Sequence, residues 1–147
     1  MGSLYSEVEL FDVVVEGDSI EIGELQATLA CYVDSGSTRS IVSDFAAARA
    51  RTIRAPQVAT FRTGSYPVRY IAMRLARRGC QPRLIEAAVS TKLIKDADID
   101  DAQMLIGQDY LQRDRVSMRF DERPEMHALH CARRAPAPRN RIVARAR

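Results

Sequence analysis

The sequence predicts an all-β fold, and three observations support this prediction. Runs rich in β-branched and aromatic residues recur along the chain, separated by glycine, proline and acidic turn residues. Within residues 29–33, larger apolar residues alternate with Ala30 and Tyr32, the period of two that is typical of a strand. Helix-favouring composition is confined to short stretches. The 147 residues have the length of one domain.

The first half of the chain predicts a β-meander and then a short helix. Residues 8–15 form the first strand, and residues 20–25 and 26–33 form two extended pieces broken near Gly23. In residues 43–51 the alanines favour a turn or two of helix, with Ser43 as the N-cap.

The second half predicts a β-hairpin followed by further strands. Residues 58–62 and 68–75 flank turn residues, which places Gly64 at the tip of the hairpin. Residues 93–102 are acidic and predict a solvated loop. Gly107 follows a short apolar strand and precedes a segment that can begin a helix. The remaining strands are predicted at residues 83–90, 104–106, 116–120 and 126–131.

Composition indicates a globular domain with no role in spanning a membrane. Hydrophobic residues make up 46% of the chain, but no apolar run reaches membrane-spanning length. The first residues lack the pattern of a secretory signal, which predicts a cytoplasmic protein. Cys31, Cys80 and Cys131 are odd in number and widely spaced, so we expect no disulfide framework and a reducing compartment.

The net charge of +3 comes from the end of the chain. Residues 132–147 contain six arginines and no acid, so the rest of the chain has 16 basic residues against 19 acidic ones. Two prolines and little apolar content predict a disordered basic tail after a domain of residues 1–131. An arginine-rich end can contact nucleic acid or an acidic surface, but without interleaved aromatic residues a solvated tail is the commoner explanation, so a nucleic-acid partner is not expected.

One predicted turn combines residues that could carry out chemistry. Asp34, Ser35 and Gly36 directly follow the apolar strand, and residues 41–42 resume an apolar run. A carboxylate at the end of a buried strand is costly to desolvate, and the Ser35 hydroxyl and Gly36 amide can donate to it. For the tripeptide alone, an ordinary turn without reactivity is the commoner explanation.

The wider pattern resembles the retropepsin-type aspartic proteases, the single-domain family of the retroviral proteases and their bacterial relatives. The resemblance covers roughly residues 8–120 and implies a closed, β-barrel-like acid-protease fold. It rests on the order of an active-site loop, a flap hairpin and a supporting strand that is followed by one short helix. These residues are Asp34, Ser35, Gly36 and Ser37 in the loop, Thr63, Gly64 and Ser65 in the flap, and Leu105, Ile106 and Gly107 in the strand.

The resemblance implies an aspartic endopeptidase that acts on peptide or protein substrates as a homodimer. Each chain supplies one Asp34, and two such carboxylates close together share a proton. The ionised carboxylate helps to deprotonate a water that attacks the peptide carbonyl, and the protonated one donates to the carbonyl oxygen. No metal or other cofactor is required. Ser35 would bond across the dimer axis, the Gly36 amide would orient the carboxylates, and Ser37 would line the site.

Two positions depart from the viral pattern. Many viral members have two acids just after the catalytic motif and an arginine just after the later glycine. This chain has Thr38 and Arg39 at the first position and Gln108 and Asp109 at the second. Because the signs of the charges are exchanged, an ion pair between Arg39 and Asp109 is predicted.

Other functions stay open at this point. The same fold without productive flap and dimer geometry would be a non-catalytic dimerisation or peptide-binding module. A nucleic-acid-binding function would depend only on the basic tail. His127, His130 and Cys131 have a spacing that a metal could use, but without a fourth ligand they do not predict a metal site.

Overall fold

The computed structural model describes residues 5–114, 116–119, 128–131 and 141–143. Strands dominate this part of the chain. They are β1 (Tyr5–Glu16), β2 (Ser19–Val33), β3 (Ile41–Val42), β4 (Ile53–Phe61), β5 (Gly64–Leu75), β6 (Arg83–Val89), β7 (Met104–Ile106), β8 (Ser117–Arg119), β9 (Ala128–His130) and β10 (Arg141–Val143). The helices described are short: α1 (Asp44–Ala47), α2 (Thr91–Asp96) and α3 (Gln108–Leu111). None of them is long and apolar enough to cross a membrane.

Six strands close into a barrel, which confirms the predicted all-β, barrel-like architecture. The strands follow one another in the order β1-β2-β7-β3-β6-β5, and β5 pairs back onto β1 between Val8↔Leu75 and Phe11↔Ala72. Outside this circuit, β4 pairs with β5 and β10 pairs with β2. Closure gives the sheet backbone partners all round the barrel, which leaves less exposed strand edge than an open sheet would.

The largest apolar cluster spans several of the barrel strands and α3. Burying each large aliphatic side chain contributes about 1.5–3 kcal/mol to folding, so this cluster is the main stabilising feature of the domain. Its fully buried members include Val8, Val33, Val42, Met73, Leu75, Met104, Ile106 and Tyr110.

The pairing of β2 with β7 fixes the position of the candidate site. These strands are parallel, with Val33 opposite Ile106, so Asp34 and Gly107 follow neighbouring strand ends. On the other side of β7, β3 runs antiparallel and also pairs in parallel with β6. The turn after Asp34 therefore lies between two segments of the same sheet.

The first hairpin is more continuous than predicted. The break expected near Gly23 is wrong, because β2 runs without interruption from Ser19 to Val33. The irregularity falls in the pairing instead, where the register shifts between Leu10 and Phe11 and again before Val13. A β-bulge can absorb an extra residue without ending either strand.

The helical and hairpin predictions are largely confirmed, with shifted boundaries. The Ser43 hydroxyl accepts from the Ala46 amide and caps α1, as predicted. The β4–β5 hairpin reverses at residues 62–63, so Gly64 begins β5. The loop predicted over residues 93–102 is wrong in its first part, because the Ser90 hydroxyl accepts from the Leu93 amide and caps α2.

Beyond α3 the chain forms a separate two-stranded sheet and then returns to the barrel. The strands predicted at residues 116–120 and 126–131 are present as β8 and β9, although residues 120, 126 and 127 lie outside the described part. The structure shows in addition that the two strands pair antiparallel. The disordered tail is a wrong prediction for Arg141–Val143, which pair with Glu21–Ser19 of β2. The backbone at the start of β2 pairs with a segment that contains the β-branched residues Ile142 and Val143. An argument from overall composition does not take such pairing into account.

The expectation of no disulfide is also wrong. Cys80 and Cys131 form one, although 51 positions separate them in the sequence. The turn before β6 and the end of β9 meet in space, and the spacing along the chain does not reveal this. Cys31 remains a buried free thiol.

Candidate active site

Asp34 lies at the turn that follows β2, with its side chain half-buried. Its backbone N–H donates to the Ile106 carbonyl over 2.9 Å, which fixes the residue against the end of β7. Its Oδ1 atom accepts from the Gly36 amide over 2.9 Å. Its Oδ2 atom accepts no hydrogen bond from the described residues. One carboxylate oxygen is therefore held by the turn, and the other remains available to a ligand.

The segment that begins α3 holds the backbone of this turn. The Gln108 amide donates to the Ser37 carbonyl over 2.8 Å. The Gln108 side-chain amide donates to the Ser35 carbonyl over 2.8 Å. These two bonds orient the Ser35 and Ser37 carbonyls, which lie on either side of Gly36. Neither bond involves the Ser35 hydroxyl, and Ser35 is exposed. The predicted loop and supporting strand therefore meet.

Gly107 allows this close approach. A Cβ atom at this position would lie 2.7 Å from the Ser37 carbonyl oxygen and 2.9 Å from the Arg39 carbonyl oxygen. Both contacts are with backbone, which cannot rotate away as a flexible side chain can. The loop after Asp34 therefore packs onto a bare backbone segment, as expected for a glycine that follows a strand.

Ser40 and Asp109 link the far end of the loop to α3. The Ser40 hydroxyl donates to Asp109 Oδ1 over 2.6 Å and accepts from the Gly107 amide over 3.0 Å. The Ser40 amide donates to Asp109 Oδ2 over 2.9 Å. The Tyr110 amide also donates to Oδ1, over 2.9 Å. Ser40 is fully buried and Asp109 is half-buried, so water reaches these bonds only from the side of Asp109.

The predicted ion pair between Arg39 and Asp109 is not formed within the described part of the chain. Arg39 turns towards β6, where its guanidinium donates to the Glu86 carbonyl over 3.2 Å. Both oxygens of Asp109 are occupied by donors from Ser40 and Tyr110. A nearby hydroxyl and two amides thus satisfy this carboxylate without a guanidinium.

A groove with a volume of about 420 Å³ opens beside the loop that follows Asp34. Basic and acidic side chains both line the groove, so its charge does not favour ligands of one sign. The Leu84 carbonyl accepts a hydrogen bond from Arg113, and the Glu86 carbonyl accepts one from Arg39. The lining residues are Thr38, Arg39, Leu84, Ile85, Glu86, Asp109 and Arg113.

The predicted flap residues lie at the exposed end of the β4–β5 hairpin. The Thr63 and Tyr66 hydroxyls are 2.7 Å apart, and the Ser65 and Thr60 hydroxyls are 3.3 Å apart. Gly64 has φ of +144°, a conformation that favours glycine, and has open space around it. Among the described residues, none of the hydrogen bonds of Thr63, Gly64 or Ser65 reaches the Asp34 turn.

A buried polar cluster beneath α3 was not anticipated from the sequence. Asp114 Oδ1 lies 2.8 Å from Nε of Arg83 and 2.7 Å from a second guanidinium nitrogen. Asp114 Oδ2 accepts from the Gln81 amide and from the Tyr110 hydroxyl. Burial, and then the hydrogen bond to Asp114, raises the pKa of Tyr110. Only the i, i+4 spacing of Tyr110 and Asp114 could have indicated this cluster.

Cys80, Cys131 and Asp114 come within 4.8 Å of one another but do not form a metal site. The two sulfurs are bonded to each other, and the Asp114 oxygens are engaged by Arg83, Gln81 and Tyr110. Of the other candidate ligands, His127 and the side chain of His130 lie outside the description.

Cys31 offers no activated nucleophile. It is buried within β2, and burial raises the pKa of its thiol to about 12. A thiol with so high a pKa stays protonated at neutral pH, whereas nucleophilic attack requires the thiolate. Cys31 therefore acts as a small core residue.

Comparison of the sequence with protein families and with curated proteins finds no match. The function proposed below therefore rests on the geometry of the chain itself.

Proposed function

We propose that this chain is a retropepsin-like aspartic endopeptidase that works as a homodimer, with one Asp34 from each subunit. The observation that carries the proposal is the environment of the Asp34 carboxylate. One oxygen is fixed by the Gly36 amide, and the other has no hydrogen-bond donor among the described residues. A structural aspartate in the same fold, Asp114, has partners on both oxygens.

The rigidity of the turn supports the same function. Asp34 and Gly107 follow two parallel strands, and Gln108 binds the backbone on both sides of Gly36. Catalysis depends on groups that are held in place before the substrate arrives. The Ser35 hydroxyl is exposed at this turn and can bond across a two-fold axis to its counterpart.

The proposed reaction is hydrolysis of a peptide bond by water. Of the two Asp34 carboxyl groups, the ionised one accepts a proton from water as the water oxygen attacks the carbonyl carbon. The protonated one donates to the carbonyl oxygen, which gives a gem-diol intermediate. Proton transfer to the nitrogen then breaks the C–N bond and releases a carboxyl and an amino product.

Asp34→Asn tests the proposal directly. The purified chain is incubated with a peptide library at acidic to neutral pH, and cleavage products are identified by mass spectrometry. We expect cleavage by the wild type and none above background for Asp34→Asn, since the amide neither shares a proton nor accepts one from water. Asp96→Asn is the matched control, because Asp96 lies exposed on α2 and pairs with Lys92.

Two outcomes would overturn the proposal. Cleavage that persists in Asp34→Asn would place the chemistry elsewhere. A chain shown by sedimentation to be dimeric, which cleaves no peptide but binds some of them, would favour the peptide-binding module.

A further inference from the structure

We infer that Ser40 and Asp109 are positioning residues for the Asp34 turn. This inference rests on the proposed function, because it assigns a role in the same site. The turn runs from Asp34, which is fixed to Ile106, to Ser40, which is fixed to Gly107. The two fixed points lie next to each other on β7 and its extension, so the turn is a closed loop.

The Ser40 hydroxyl is the link that closes this loop. It accepts from the Gly107 amide, and it can do so only when its own proton points elsewhere. The hydroxyl donates its hydrogen bond to Asp109 Oδ1, and the two oxygens are 2.6 Å apart, a distance typical of a hydroxyl that donates to a carboxylate. Asp109 therefore orients the Ser40 hydroxyl, which in turn holds Gly107.

The chemistry of Asp109 fits this role better than that of an amide would. Its two oxygens accept from the Ser40 hydroxyl, the Ser40 amide and the Tyr110 amide. An asparagine has only one acceptor oxygen, so its NH₂ group would face at least one of these donors. A buried donor left without a partner is costly, and the loop would move to relieve it.

The groups that surround Asp109 do not replace these bonds. Arg39, Glu86 and Arg113 line the groove with it. Arg39 donates to the Glu86 carbonyl, and Arg113 donates to the Leu84 carbonyl. Both guanidinium groups thus contact β6, and the hydrogen bonds that Asp109 makes in the described structure come from Ser40 and Tyr110.

The test compares Ser40→Thr with Ser40→Val. The two variants have nearly the same shape and add a methyl group at the same buried position, but only threonine keeps the hydroxyl. We expect kcat of Ser40→Val to fall at least about tenfold below that of Ser40→Thr, with KM within about threefold, since misplacement of reacting groups lowers kcat strongly. Asp109→Asn should show the same fall in kcat.

A stability control separates positioning from general destabilisation. Tyr110→Phe removes the hydroxyl that bonds to Asp114 and leaves the Tyr110 amide on Asp109. We expect it to lower Tm at least as much as Asp109→Asn while kcat stays within about twofold. Equal kcat for Ser40→Val and Ser40→Thr would overturn the inference. A fall in kcat for Tyr110→Phe as large as that for Asp109→Asn would do the same.

Hydrogen exchange gives a readout that needs no activity. The Gly107 amide should exchange faster in Ser40→Val and Asp109→Asn than in Ser40→Thr, while amides of β6 keep their protection. If the wild type cleaves no peptide, the proposed function fails, but this exchange result still decides the positioning role. Unchanged protection of Gly107 in Asp109→Asn would count against it.

Discussion

Three aspartates of this chain differ in how many of their carboxylate oxygens accept a hydrogen bond. Asp34 has a donor on one oxygen, whereas Asp109 and Asp114 have donors on both. A carboxylate with donors on both oxygens stabilises its neighbours and is poorly placed to take a proton from water. The catalytic role proposed for Asp34 therefore depends on its free oxygen as well as on its position after an apolar strand.

At this scale, Gly107 is the glycine of the described chain at which an added Cβ atom would make the shortest contact. Gly107→Ala would place a methyl group 2.7 Å from the Ser37 carbonyl oxygen, so we expect the variant to lose about 1–3 kcal/mol of unfolding free energy. Activity should fall as well, because the clash pushes on the loop that carries Asp34. Urea denaturation and peptide cleavage measure the two effects.

The control for this change is Gly17→Asn. Gly17 has φ of +62° and nothing within 4 Å of a Cβ atom, and asparagine tolerates this conformation better than most residues. Its unfolding free energy should change by less than about 1 kcal/mol. If Gly107→Ala kept the wild-type unfolding free energy, the loop would be able to move away from the added methyl group without loss of stability, which would contradict this prediction.

What could be predicted for these residues depends on how local their contacts are. Asp34 bonds to an amide two positions away, and the sequence indicated that turn directly. Ser40 bonds to Gly107 and Asp109, which lie 67 and 69 positions away in the sequence. These contacts depend on the register between β3 and β7, which the sequence does not reveal. The predicted partner of Asp109, Arg39, was chosen by charge, but hydroxyl and amide donors were closer.

Among the elements, the strand pair β8 and β9 depends on a covalent link. Its strands pair mainly with each other, and Cys131 just after β9 is bonded to Cys80 before β6. A Cβ atom at Gly79 would lie 3.3 Å from the Cys131 carbonyl oxygen, so a larger residue has little room at this junction. The disulfide therefore attaches a segment whose own two strands would be marginal alone.

Loss of this bond should lower stability measurably. A crosslink that closes a loop of 51 positions restricts the unfolded chain, and we expect its removal in Cys80→Ser/Cys131→Ser to cost about 4 kcal/mol. Urea denaturation of oxidised, reduced and variant protein measures the cost. A reductant should have no further effect on the double variant.

A thiol count checks the bond itself. The oxidised protein should show one reactive thiol after unfolding and almost none when folded, because Cys31 is buried and burial raises the pKa of its thiol to about 12. Three reactive thiols in the unfolded, unreduced protein would contradict the disulfide.

The elements were predicted well where a pattern was local and poorly where it was not. The Ser43 cap and the hairpin before β6 follow from neighbouring residues, and the structure has both. The Cys80–Cys131 pair and the return of β10 to β2 depend on which distant segments meet. Composition assigned residues 141–143 to a disordered tail because charge dominated the window.

At the scale of the whole molecule, the described chain contains one closed barrel with one Asp34, so the proposed site is half complete in each chain. The barrel itself was predicted through resemblance, and the pairing of β5 with β1 closes it. The second half of the site requires another copy of the same surface, as a two-fold axis supplies.

Mixing wild type with Asp34→Asn distinguishes a shared site from a single-chain site. At constant total concentration and after subunit exchange, only wild-type pairs should cleave, so an equal mixture should retain about one quarter of the activity. A single-chain enzyme would retain about half. Peptide cleavage across a series of ratios measures the dependence, with Asp96→Asn in place of Asp34→Asn as the control mixture. A linear dependence would contradict the shared site.

The return of β10 to the barrel has a consequence for the edge of the sheet. Arg141–Val143 cover Ser19–Glu21 of β2, whose other side is already paired with β1. A chain that ended before residue 141 would leave this edge bare, and bare strand edges recruit strands from other chains into aggregates. β10 therefore protects a strand edge that would otherwise be free to pair with another chain.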